Sequence, residues 1–126
     1  TKYNLWTSDI FEIIGIMRYM MPNSEIKIIK KMSDPEKLRY FQDYWSSRDP
    51  DPETEKNELL IELTNRIMYV NSNFSNLDRG WRSDRGRIYI IYGRPEFIEE
   101  HEDKNNNMYQ IWNYPSGQKF IFIDTA

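Results

Sequence analysis

The apolar residues of this chain change their spacing partway along it, and that change limits the fold more than any other feature. Leu60, Leu63, Ile67, Val70 and Phe74 recur at steps of three and four, the repeat of one face of an α-helix. Beyond Gly86 the pattern shortens. Arg87 to Tyr92, Glu96 to His101, Tyr109 to Tyr114 and Lys119 to Asp124 are short runs with β-branched or aromatic residues, which read as strands. Gly93-Arg94-Pro95, the polar stretch Glu102 to Asn107 and Pro115-Ser116-Gly117 separate them as turns. Helices first and strands second define an α+β domain. The expected architecture is N-terminal helices (1–74) packed on a C-terminal four-stranded antiparallel meander (75–126), in a single domain of 126 residues.

Start signals divide the helical part. Thr7-Ser8-Asp9 precedes Ile10, Ile13, Ile14, Met17 and Met21; short oxygen side chains there accept the free amides of a first turn. Pro22 ends that run. Asn23-Ser24 opens a short segment with Ile26, Ile29 and Met32, a helix whose Ile26 to Ile29 stretch also alternates like a strand. Ser33-Asp34-Pro35 is a cap residue followed by proline at the first helical position, with Leu38, Phe41 and Trp45 as its stripe. Two X-Pro steps in Arg48-Asp49-Pro50-Asp51-Pro52 stiffen the next connector. The longest helix is expected from about Thr54 to Phe74, with Asn57 and Glu58 in its first turn, followed by a loop over Asn71 to Asp78. It is also expected to be the helix that covers the sheet.

The residue inventory removes several classes of function. There is no cysteine and one histidine, so disulfides, thiolate metal sites and multi-imidazole sites have no ligands. A net charge of -3 has the wrong sign for a nucleic-acid partner. No apolar run approaches the roughly 18 residues of a membrane span, and Glu12 and Arg18 interrupt the longest one. There is no Gly-x-Ser-x-Gly elbow and no phosphate-binding glycine loop. No cofactor and no catalytic residue is expected. A start at Thr1 rather than Met reads as an excised domain or a processed product.

Five clusters have unusual chemistry. Asp84-Arg85-Gly86 pairs a carboxylate with a guanidinium, either as a site for an ionic ligand or as a turn held by side-chain bonds to backbone amides. Arg79, Arg82, Arg85 and Arg87 form a basic cluster that either meets an acidic partner or pairs with Asp49, Asp51 and Glu53. The alternating acids Asp49 to Glu55 resemble the start of a calcium loop, but the central glycine and terminal glutamate are missing, so a solvated helix start is the better reading. His101 lies among carboxylates with no second imidazole, as an exposed edge-strand residue would. The aromatics Trp81, Tyr92, Tyr109, Trp112 and Tyr114 either build a core or form a stacking platform. Strand alternation places Trp112 and Tyr114 on one face, and these two are the candidate partner-binding residues. Trp81 is expected to be buried.

Gly80-Trp81-Arg82-Ser83-Asp84-Arg85-Gly86 resembles the signature of the GWxTD domain family of bacterial proteins. Three further blocks agree: Trp45-Ser46-Ser47-Arg48-Asp49-Pro50, the pair Asn57-Glu58, and Tyr92-Gly93-Arg94-Pro95-Glu96 together with Tyr109-Gln110-Ile111-Trp112-Asn113-Tyr114. The likeness runs from about Trp45 to Asp124. Ser83 stands where the family name has threonine, which keeps the hydroxyl. The resemblance implies an exported protein, periplasmic or extracellular, often joined to other domains, and it assigns no activity. The expected function is a non-catalytic binding or scaffold domain with a protein partner. A carbohydrate-binding module using exposed aromatics is the alternative, and a carboxylate-dependent hydrolase ranks below it.

Overall fold

The computed structural model describes residues 4–75 and 79–124. The described chain forms five α-helices, then three strands. Helix α1 (Ile10–Met17) starts where the Asp9 carboxylate accepts the amides of Phe11 and Glu12, and it buries Ile13, Ile16 and Met17. Helix α2 (Asn23–Lys30) follows Pro22 and buries Ile26 and Ile29. Helix α3 (Asp34–Ser47) opens on a reciprocal cap. The Ser33 hydroxyl accepts from the Glu36 amide at 3.3 Å and donates to the Glu36 carboxylate at 2.8 Å.

Helix α4 (Glu58–Asn73) buries Leu60, Leu63, Ile67 and Val70, the stripe expected from their spacing. It begins at Glu58 rather than near Thr54, because Asn57 is its cap and not part of its first turn. The Asn57 side chain accepts from the Leu60 amide at 3.3 Å and donates to the Trp45 carbonyl at 2.9 Å. A buried polar side chain thus ties the start of α4 to the end of α3. The loop expected from Asn71 starts later, since α4 continues to Asn73; its residues 76–78 lie outside the described residues.

The main correction is helix α5 (Asp84–Tyr92), which occupies the segment expected to be the first strand. The sheet therefore has three strands, β1 (Phe97–Glu102), β2 (Met108–Asn113) and β3 (Lys119–Asp124), antiparallel and in sequence order. Ser83 caps the start of α5 and Gly93 ends it at φ 81°, so both ends carry helix signals although the interior favours a strand.

α5 also takes the place expected of α4 against the sheet. One core joins the helices through residues such as Ile13, Phe41, Trp45, Ile67, Trp81 and Ile90. A second joins Ile88 of α5 to Trp112, Tyr114 and Phe122 of the sheet segment. Phe74 and Tyr89 pack against both. Helix α5 is thus the middle layer, with the other helices on one side and the sheet on the other.

Candidate functional site: the motif joint and the open face of the sheet

The segment Gly80–Arg82 is a single 3-10 turn between α4 and α5. Its residues are fixed by how closely three backbones meet. A Cβ at Gly80 would lie 1.9 Å from the Val70 carbonyl oxygen, and one at Gly86 would lie 1.8 Å from the Gly80 carbonyl oxygen. Neither position has room for a side chain. The Ser83 hydroxyl bridges the gap, donating to the Gly80 carbonyl at 2.7 Å and accepting from the Gly86 amide at 2.9 Å. A hydroxyl performs both tasks, so a threonine in this place would serve equally.

Trp81 is buried, as expected, and is anchored from three directions. Its amide donates to the Asn71 side chain at 3.0 Å, and its carbonyl accepts the Tyr19 hydroxyl at 2.8 Å. Its indole ring lies over Gly15 of α1, where a Cβ would be 2.3 Å from Cη2. One motif residue therefore links α1, α4 and the start of α5.

Arg85 carries the joint on to the sheet. It donates to the Gln110 side chain at 3.1 Å and to the Asp124 carboxylate at 3.0 Å, and its guanidinium lies 5.1 Å from the centre of the Phe122 ring. The same Gln110 oxygen accepts the Trp112 indole N–H at 3.2 Å. Arg85 thus finds its carboxylate in β3, not in the Asp49–Glu53 segment. Asp84 is exposed in the first turn of α5, where its charge favours the helix dipole. At the other end of α5, Arg66 donates to the Ile90 carbonyl at 3.0 Å, and the Tyr114 hydroxyl donates to the Gly93 carbonyl at 2.9 Å. Burial pushes the Tyr114 hydroxyl up to about 12.

The remaining motif residues are local braces. Arg48 lies 3.6 Å from the centre of the Tyr44 ring and donates to the Tyr44 carbonyl at 3.3 Å. The carboxylates of Asp49 and Asp51 each accept the amide two residues on, at 3.1 Å, which is turn chemistry. Glu58 accepts the Thr54 hydroxyl at 2.8 Å. Pro95 sits in the connector between α5 and β1. Among the described residues there is no group of three or more His, Asp or Glu arranged to hold a metal ion. His101 is exposed on β1, 3.2 Å from Glu99 and stacked on Tyr109. Hydrogen bonds from Asn113 and then from His101 lower the Glu99 carboxyl below its usual value.

Trp112 and Tyr114, the candidate partner-binding residues, lie on the covered side of the sheet. Trp112 is 2% exposed and packs on Phe74, Tyr89 and Phe122. Alternation had paired them on one face correctly; what it did not show is which face the protein covers. The open face carries the other set. Glu99, Ile111 and Ile121 are directly opposed across the three strands, as are His101, Tyr109 and Ile123. Phe97 is 55% exposed, Ile121 62% and Ile123 63%. The N-terminal helices do not pack on this second face; their core lies on the far side of α5.

A three-layer α+β domain whose glycine–tryptophan–hydroxyl motif joins helices to sheet is the class that the fold and the site define. The chain belongs to the GWxTD domain family, which matches it over residues 6–126. No curated protein and no solved structure matches it.

Proposed function

We propose that this domain is a non-catalytic binding or scaffold module of an exported bacterial protein, and that its partner is a protein held on the sheet. The open apolar face carries the reading. An antiparallel sheet with one face in water ordinarily alternates apolar with polar residues, whereas Phe97, Ile121 and Ile123 leave large side chains in solvent. Ile121 and Ile123 are neighbours on that face, beside Ile111 and Tyr109, and adjoining exposed apolar side chains of this kind mark contact surfaces. The family motif supports the same reading in a different way. Its residues are engaged in joining α1, α4, α5 and the sheet, which makes a rigid platform. Rigid platforms change shape little on binding.

A photo-reactive amino acid placed at position 121 or 123 of the full-length protein tests this in the native bacterium. The expected result is a discrete crosslinked protein from these positions and none from Glu62 on exposed α4. Equal labelling from both surfaces, or no protein adduct from the sheet, would overturn the proposal.

A further inference from the structure

We infer that the free edge of β3 takes an extended segment of a partner protein as a fourth strand, apolar at alternate positions and carrying a carboxylate where it passes Arg87. This rests on the reading above and specifies how the partner is held.

The backbone supplies the first argument. The Tyr114 amide donates to the Gln118 carbonyl at 3.0 Å, which sets the phase of the β2–β3 ladder. Successive residues of an antiparallel strand turn their backbone groups to opposite sides. Phe120, Phe122 and Asp124 therefore bond β2, and Lys119, Ile121 and Ile123 turn their amides and carbonyls outward. Among the described residues, no strand pairs with that side.

The two sheet edges are defended very differently. β1 carries Glu99, Glu100 and Glu102, followed by Asp103, and edge charge of this kind discourages strand addition. Between Lys119 and Asp124, β3 carries no charge and no proline, and its register with β2 runs without a bulge. It is the edge that a strand can join.

A groove of about 420 Å³ runs beside β3, between that strand and α5. Ile88, Phe120 and Phe122 line it, with Arg85, Arg87 and Asp84 at the α5 side. A strand added about 4.8 Å from β3 would place alternate side chains in this groove and the others beside Ile121 and Ile123 on the open face. Main-chain bonds would hold the segment and the alternate positions would select it.

Charge decides between possible occupants. Arg85 is held by Asp124, whereas Arg87 is exposed on the α5 side of the groove, so a carboxylate is favoured beside Arg87. A second copy paired antiparallel about Ile121 would set its Lys119 beside Ile123, adding a cation at the Asp124 end of the strand, where Arg85 already lies. A partner segment with an acidic residue suits Arg87 better than this protein's own β3.

The probe is a displayed library of random extended peptides, selected against the full-length protein, with hydrogen exchange of β3 amides as the structural readout. Enriched peptides should alternate apolar residues and carry Asp or Glu at one end, and they should slow exchange at Lys119, Ile121 and Ile123. Arg87→Glu should weaken the acidic peptides roughly threefold to tenfold, the scale of a reversed exposed pair. Ile121→Pro removes an outward donor without removing a ladder bond and should abolish binding; Ile121→Lys, on an exposed side chain, keeps the test open should the proline variant fold poorly. Peptides that leave these amides unprotected, or a preference for basic ends, would overturn the inference. So would β3 amides already protected in the free full-length protein, or self-association that competes with the peptides. If crosslinks from the open face persist while the edge stays unprotected, only this inference fails; if both are missing, the binding function fails with it.

Discussion

At the residue scale, the motif is explained by space more than by chemistry. The contact between Gly15 and the Trp81 ring can be isolated by a double-mutant cycle. Gly15→Ala alone should destabilise by about 1–3 kcal/mol, because its Cβ would meet a packed indole. Trp81→Ala alone should cost about 3–5 kcal/mol, as expected for a buried Trp emptied to a cavity. In the Trp81→Ala background, Gly15→Ala should cost almost nothing, since the obstructing ring is gone. Urea midpoints of the four proteins measure this directly, and strict additivity would refute the contact. Ser83 gives a second test. Ser83→Ala should lose about 0.5–2 kcal/mol with the cap, while Ser83→Thr should stay close to the parent because it retains the hydroxyl. A Ser83→Thr variant as unstable as Ser83→Ala would show that the hydroxyl bridge is not what the position requires.

At the scale of elements, α5 is where local preference and tertiary structure disagree. Proline distinguishes a helix from an edge strand. Ile91→Pro should cost about 3 kcal/mol or more, because it removes a helical hydrogen bond and clashes with the preceding turn. Ile121→Pro should cost far less, since its amide faces outward from an edge strand. Thermal melts of the two variants make the comparison, and equal losses would contradict the helix. The sequence legibly showed α4, α3 and the three later strands, because their apolar spacing is long or their turns are sharp. It hid α5 because Ile88, Tyr89, Ile90 and Ile91 are strand formers, while packing chose a helix. Ile90 enters the helical core and Ile88 the sheet core, so two different faces of one helix are apolar and no single stripe shows. The signals available were the Ser83 cap and Gly93. Trp112 and Tyr114 were legible as a pair on one face, but which face is covered depends on α5 and could not be read before it was placed.

At the scale of the whole molecule, three tyrosines fasten the layers together, and each is harder to ionise than a free tyrosine. Tyr19 of the α1–α2 connection donates to the Trp81 carbonyl, and Tyr114 donates to the Gly93 carbonyl. Tyr89 stacks on Tyr69 with ring centres 4.5 Å apart. Burial is the first cause of the upward shift in all three, and for Tyr114 it reaches about 12. A raised value means that the folded state keeps the proton when the unfolded chain, near its ordinary value of about 10, has released it. The stabilisation is therefore complete below pH of about 10 and is lost as pH rises through the folded value, toward about 12 for Tyr114. Ionisation also converts a donor into an anion facing a carbonyl oxygen, so the two tyrosine hydrogen bonds cannot survive it. The expected result is a urea midpoint that falls steadily over this alkaline range. The informative protein is the double variant Tyr19→Phe with Tyr114→Phe. It should start less stable at neutral pH, having lost two hydrogen bonds worth about 1 kcal/mol each, and its midpoint should fall less steeply between pH of about 10 and 12 than that of the parent. Parallel curves for the two proteins would show that these hydroxyls do not couple the layers to pH.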